Sequence, residues 1–391
     1  LKIYKIAVLL LLISFFMSQA LGQAINFINE SRQLLKPIVL KEAAWAMEKK
    51  PLTITSAQAE RSAGGKHDFF SEGDYWWPDP QNPNGPYIQR DGITNPDNFT
   101  AHRKYMIQFS RIMGALASAF LITNDEKYAM HAFAHTNAWL VDTATRMYPH
   151  MLYAQAIQGR YTGRGIGIID MIQFLEVAQA LSVLEKSKSA NKNNYQSYRN
   201  WFKNYLTWVT THAYGLDEKN ALNNHGTCWT MQVAVFAKFV NDKKLMDTCI
   251  NRYKYRHLPD QMASDGSFPK ELNRTKPYGY SIFNLDAMTM ICQILSDQEQ
   301  NLWTFETPDG KSISKGIAFL FPFVKDKNLW PFKKDVMYWD DWPVAQPFLY
   351  FGAQAFQNKY YYDTWSTLPH ETSVEEIIRN VPVRHPLIWN K

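Results

Sequence analysis

Apolar residues recur at i, i+3 and i+4 along most of the chain, with polar residues between them. Ten stretches carry the pattern: 34–47, 99–121, 126–146, 166–184, 195–213, 230–240, 243–255, 282–296, 313–324 and 344–357. Ile168, Ile172, Leu175, Ala178, Leu181 and Leu184 form one such stripe. This period belongs to helices that bury one face. Asn124-Asp125, Asn241-Asp242 and Pro308-Asp309-Gly310 punctuate them. Alternating runs with hairpin turns are scarce, so the chain is expected to be all-α. Paired helices joined by irregular connections predict helical hairpins set around an axis, an (α/α) toroid, or a plain helical bundle. No Pro- or Gly-rich linker divides the helical body, and no run of short strands follows Gln357. A single domain over residues 23–391 is expected.

One segment breaks the rhythm. Residues 64–97 hold Gly64-Gly65, Pro78-Asp79-Pro80 and Asn82-Pro83-Asn84-Gly85-Pro86, together with Tyr75-Trp76-Trp77. A loop this long inside a domain is usually functional. It is expected to wall or cover a groove.

The N-terminus reads as an export signal. Lys2 and Lys5 precede an apolar run from Ile6 to Met17, and Ala20-Leu21-Gly22 offers a cleavage site before Gln23. The run is too short to span a bilayer, and no later segment is expected to span one. Periplasmic or secreted location follows. Apolar residues are 46% and charged residues 20%, which excludes a disordered chain. Residues 1–22 carry two lysines and no acid, so the net charge of +6 falls to about +4 on their removal. That surplus suits an anionic partner, but no basic block dense enough for nucleic acid is present. Three cysteines, Cys228, Cys249 and Cys292, are too few and too odd in number for a disulfide framework, and three buried thiols are expected. Aromatics reach 15%, enough to leave Trp and Tyr for a groove that stacks on sugar rings.

The chemistry gathers in Asn223-Asn224-His225-Gly226-Thr227-Cys228-Trp229 and Arg274-Thr275-Lys276-Pro277-Tyr278-Gly279-Tyr280. An amide, an imidazole, a guanidinium and a phenol suffice for β-elimination on a uronic-acid polymer. The C5 proton of a uronate is weakly acidic, and removing it builds charge on the adjacent carboxylate. Asn224 and His225 can donate hydrogen bonds to that carboxylate, and Arg274 can neutralise it. Tyr280 can protonate the departing O4, its phenol expected below its usual value beside Arg274. His225 or Tyr280 takes the proton, depending on the face that carries it. No metal or cofactor is required. His67, Tyr75, Trp76, Trp77, His150, Gln155 and Arg164 are further candidates for the groove, Arg164 for a carboxylate one sugar away.

Asn223-Asn224-His225 with Trp229 resembles the Asn-Asn-His…Trp signature of alginate-lyase-type toroids. The stretch from Asp265 through Arg274 and Tyr278 to Tyr280-Ser281 resembles their Arg…Tyr segment. Tyr148-Pro149-His150 and Gln155 lie in another family-like stretch. The likeness covers most of residues 40–360. It is closest to polysaccharide lyase family 38, which the step from Arg274 to Tyr280 suits, and more distant from family 5. The resemblance implies an (α/α) toroid acting on alginate or a related polyuronate by metal-free elimination. It places neutralisation on Asn224, His225 and Arg274, acid–base work on Tyr280 with His225, and Trp229 and Tyr278 on the substrate side.

Two other readings compete. A toroidal glycoside hydrolase would need two facing carboxylates, for which Asp79, Asp265, Glu271, Asp340 and Asp341 are available. A non-catalytic glycan-binding protein would explain the aromatics, although no cysteine for a lipid tether stands near the cleavage site. His131 and His135 have a metal-ligand spacing, but the Glu of the zinc-protease pattern is missing and no metal site is expected there.

Overall fold

The helices that line the axis are buried on every side, and this decides the architecture. The computed structural model describes residues 27–391; the export signal expected over 1–22 lies outside the described residues. The first helix, α1, covers 27–47. It is followed by α2 (Ala101–Thr123), α3 (Glu126–Leu140), α4 (Phe174–Leu184), α5 (Lys192–Thr211), α6 (Ala213–Asn220), α7 (Asn224–Val240) and α8 (Lys243–Arg252). Next come α9 (Leu258–Gln261), α10 (Pro269–Leu272), α11 (Pro277–Leu295), α12 (Ile313–Lys325), α13 (Pro347–Phe356), α14 (Lys359–Thr367) and α15 (Glu375–Asn380).

Helices α2, α4, α7, α11 and α13 pack successively on one another, while α3, α5, α8, α12 and α14 cover them from outside. The inner helices bury nearly their whole circumference, as helices enclosed on all sides must. The chain is therefore the expected all-α (α/α) toroid. The arc between α13 and α2 is filled by α1 and the C-terminal segment, whose Leu387, Ile388 and Trp389 are buried.

The punctuation works as paired caps. Asn124 and Asn241 take left-handed conformations (φ 56° and 61°) and end α2 and α7. Asp125 and Asp242 then cap α3 and α8, accepting from Lys127 N and Leu245 N. Gln357-Asn358 repeats the device between α13 and α14. Several details differ from the sequence expectation. Residues Gly165–Gln173 form a 3-10 helix before α4, and Tyr253–His257 form a π-helix after α8. Helices α6, α14 and α15 have only eight, nine and six residues, too short for periodicity to reveal. Contrary to expectation, Ala101–Thr123 and Gly165–Leu184 are long and apolar enough to cross a membrane, but both are largely buried within the protein.

The long segment after α1 is braced rather than free. Strand β1 (Phe70–Glu72) pairs in parallel with β4 (Tyr153–Ala156), and β2 (Trp76–Trp77) pairs antiparallel with β3 (Ile88–Gln89). Cys228, Cys249 and Cys292 are buried free thiols, as expected.

Candidate active site

Two inner helices break their own burial at one point near the N-terminus. In α11 every one of the 19 residues is buried except Tyr280. In α7 all 17 are buried except His225 and Lys238. A polar side chain left open at the start of a fully packed helix is placed there at the expense of packing, which marks a site.

The start of α7 is held by acids that the sequence reading did not assign. Asn223 caps the helix by accepting from His225 N. Glu271 of α10 accepts from Asn224 N at 2.7 Å and from Asn224 Nδ2 at 2.8 Å. One hydrogen of the Asn224 amide is therefore already engaged. Gly226 is required here because a Cβ would lie 2.1 Å from the carbonyl oxygen of Ala221. Glu218 of α6, fully buried, lies 2.8 Å from His225 Nδ1. Burial alone would lower the imidazole pKa, but the Glu218 carboxylate outweighs it and the net direction is upward. Burial also raises Glu218, so the pair holds one proton firmly. With Nδ1 turned to Glu218, Nε2 remains for chemistry.

The start of α11 is capped from a distance. Pro277 occupies its first turn, and Asp335 accepts from Tyr278 N at 2.8 Å and Gly279 N at 2.9 Å. Burial pushes the Asp335 carboxyl up to about 6. Just before the helix, Arg274 lies 4.8 Å from the centre of the Tyr280 ring and 3.0 Å from Asp91. The Tyr280 hydroxyl is 2.7 Å from that of Tyr75. The expected lowering of the phenol is corrected. Burial, and then the neighbouring Tyr75, raise Tyr280 well above the usual phenol value, although Lys276 and Arg274 both pull it down. Glu271, which holds Asn224, stands three residues before Arg274, whose guanidinium lies against the Tyr280 ring, and this links the start of α7 to the start of α11.

Beneath them runs a buried chain of charges. Ser71 donates to Asp170; Arg103 pairs with Asp170 at 3.4 Å and Asp74 at 2.7 Å; Arg379 pairs with Asp74 at 3.0 Å and Glu376 at 3.3 Å. Glu376 ends the chain on Lys276 at 2.6 Å. This network pins the Tyr75 segment to α2, α11 and α15. Its buried ions had no recognisable spacing in the sequence.

The other predicted groove residues divide. Arg164 makes no ion pair among the described residues. Its Nε donates to the carbonyl of Gln155 at 2.8 Å, and burial lowers its pKa to about 10. Gln155 is buried in the left-handed region at φ 49°, a strained conformation that aims this carbonyl. Arg160 and Arg164 lie 5.4 and 5.8 Å from the Trp76 ring, and Arg90 lies 5.0 Å from Trp77. His67 and His150 stand apart. His67 bonds the carbonyl of Arg146, His150 pairs with Asp68 at 3.2 Å, and both flank Tyr148. Among the described residues no hydrogen bond, ion pair or ring contact joins them to Tyr280, Arg274 or His225. Trp229 and Tyr278 are corrections. Both are buried in the core, Trp229 donating to the carbonyl of Val209 and Tyr278 to that of Phe323. Large apolar rings on a packed helix go inward, whatever polar neighbour they have in sequence.

A cavity of about 590 Å³ between α1, α2 and the C-terminal segment, lined by Leu35, Arg111, Trp365 and Arg384, holds none of these residues. For the hydrolase alternative, Glu218 and Glu271 are turned onto His225 and Asn224, and Asp265, Asp340 and Asp341 are exposed. His131 and His135 lie 3.3 Å apart and contact the carbonyl of Lys49 at the end of α1.

The sequence model of the alginate lyase family matches residues 53–330. The chain belongs to the alginate lyase family. The crystal structure of an alginate lyase from Bacteroides ovatus is 28% identical, with a TM-score of 0.78, covering 94% of this chain and 97% of that one. Alginate lyase A1-III from Sphingomonas species A1 is 14% identical with a TM-score of 0.57, covering 90% and 94%, and shares the fold. A variant of A1-III complexed with tetrasaccharide superposes with a TM-score of 0.53 at 16% identity, covering 83% and 86%. No curated protein sequence matches the chain. The family match ends before Asp335, Glu376 and Arg379, so in this alginate lyase family member the groups that hold Tyr278 N, Lys276 and Asp74 come from beyond the matched region.

Proposed function

We propose that this protein cleaves alginate or a related polyuronate by β-elimination. The observation that carries the reading is the partial exposure of His225 and Tyr280 at the starts of two otherwise buried helices, with Arg274 against the Tyr280 ring. The substrate carboxylate sits against Arg274 and the free hydrogen of Asn224, joined by His225 when the imidazole is protonated, and these stabilise the charge that grows as the C5 proton leaves. The C5–H pair becomes the C4–C5 double bond, the C4–O4 bond breaks, and O4 takes a proton. Where the proton and O4 share a face, Tyr280 removes the one and supplies the other. Where they lie on opposite faces, His225 is the base and Tyr280 the acid. Tyr75, hydrogen-bonded to Tyr280, steadies the phenol through both states.

Arg164, with no anionic partner, takes the carboxylate of a neighbouring sugar, and Trp76 offers a ring face beside it. The elimination calls for no metal or cofactor, because Arg274 supplies the positive charge. The step from Arg274 to Tyr280 supports placement with polysaccharide lyase family 38. Residues 1–22 direct export and are removed before Gln23, which N-terminal sequencing of the exported protein tests.

The decisive assay presents purified polymannuronate, polyguluronate and polyglucuronate and follows the ultraviolet absorbance of the unsaturated chain end. At least one polymer should yield it. Tyr280→Phe should cost about 10²–10⁴-fold or more in kcat while leaving polymer binding largely intact. Chain cleavage without unsaturated ends would identify a hydrolase and end this reading.

A further inference from the structure

Two phenols share a hydrogen bond in a half-buried site, and neither can ionise there without help. Tyr75 and Tyr280 meet at 2.7 Å, and burial holds both above the usual phenol value. The charged groups that face the pair come from three places. Arg274 and Lys276 precede α11, Glu376 and Arg379 lie on α15, and Asp74 lies in the loop before β2. Lys276 is almost fully buried. Its ammonium lies 5.0, 5.2 and 5.6 Å from the ring centres of Tyr75, Tyr338 and Tyr280, and 2.6 Å from Glu376. A lysine driven into a ring of phenols, with one carboxylate to hold it, is costly unless its charge is used.

We propose that Lys276, fixed by Glu376 of α15, is the positioning residue that lets the Tyr75–Tyr280 pair release a proton during turnover, and that Glu376 limits how readily it does so. The inference rests on the elimination reading above. It concerns a residue outside the predicted quartet and a partner outside the matched family region. A cation within about 4–6 Å favours the charged form of an acid by about 1–3 pKa units. The lysine therefore draws the phenol pair toward ionisation. The carboxylate, which neutralises that ammonium and repels a phenolate, draws it back. The two side chains must then act with opposite sign, which no purely structural role demands.

The test is the pH profile of kcat on a polyuronate whose C5 proton and O4 share a face, where Tyr280 is the base and the phenol pair sets the rising limb. Lys276→Met should move the limb that rises with pH upward by about one unit or more and lower kcat at neutral pH, with KM little changed. Lys276→Arg should restore the limb. Glu376→Gln should move it downward. Should Lys276→Met fail to fold, the arginine and glutamine variants still decide the matter. Limbs that stay in place, or move in the same direction in Lys276→Met and Glu376→Gln, overturn the proposal while wild-type activity keeps the elimination reading intact. A wild-type protein that yields no unsaturated ends on any polyuronate sinks both.

Discussion

At the scale of single residues, the site depends on pairing as much as on identity. An imidazole alone titrates near ~6.5. His225 carries Glu218 on Nδ1, and the carboxylate more than offsets the effect of burial. The imidazolium therefore persists to higher pH than in a free histidine. A base must be neutral, so the acid limb of any His225-dependent cleavage should lie above the usual histidine value. Glu218→Gln should move that limb to lower pH; where Tyr280 is the base it should leave the rising limb in place and only weaken the hold on the substrate carboxylate. Profiles on two stereochemically distinct polymers check this, and an unmoved limb on both would remove Glu218 from the reaction. Asn224, His225, Arg274 and Tyr280 could be named from their motifs because a helix start and a short connection keep them within local reach. Trp229 and Tyr278 were misplaced for the converse reason. Motif membership says nothing about which side of a packed helix a ring will face.

At the scale of elements, α15 and the tail that follows act as a clamp. Arg379 and Glu376 reach Asp74 and Lys276 on one side, while Arg384 and His385 hold Glu176 of α4 on the other. Burial would raise Asp74, yet Arg103 and Arg379 bring it down to about 2. Glu176 is likewise brought to about 2, against burial, by His385 and Arg384. Both folded values lie below the ordinary 3.8 and 4.5. Their stabilisation is thus complete above about pH 5 and is lost as pH falls toward 2, on the order of 2–3 kcal/mol each. Denaturant titrations across that window should show stability falling steeply. Asp74→Asn, unable to ionise, should flatten part of the fall. A pH-independent midpoint would contradict the clamp.

At the scale of the whole molecule, the toroid is a ring of packed helices that leaves polar side chains open at the starts of two inner ones. The surplus of positive charge, with Arg90, Arg160 and Arg164 beside Trp76 and Trp77, suits a polyanion drawn along the site. Added salt should raise KM more than it lowers kcat. Arg164→Ala should raise KM about 10-fold with the pH profile unchanged, since a charged hydrogen bond to substrate is lost but no reacting group. Steady-state kinetics at two ionic strengths measure both effects. A kcat loss without a KM change would put Arg164 in the reaction itself.

The amino-acid order alone specified the helices, the Asn-Asp pairs between them and the two motifs proposed to carry the reacting groups, because periodicity and capping act over a few residues. The odd, sparse cysteine count also argued against a disulfide framework. Only the tertiary structure brought Tyr75 to Tyr280 across 205 positions and Lys276 to Glu376 across 100. It alone supplied Glu218 and Glu271 to the start of α7, and it reversed the expected direction of the Tyr280 shift. Burial and Coulomb pairing depend on which surfaces close over which charges, and short helices such as α6 and α15 deliver those charges without a periodic signature of their own.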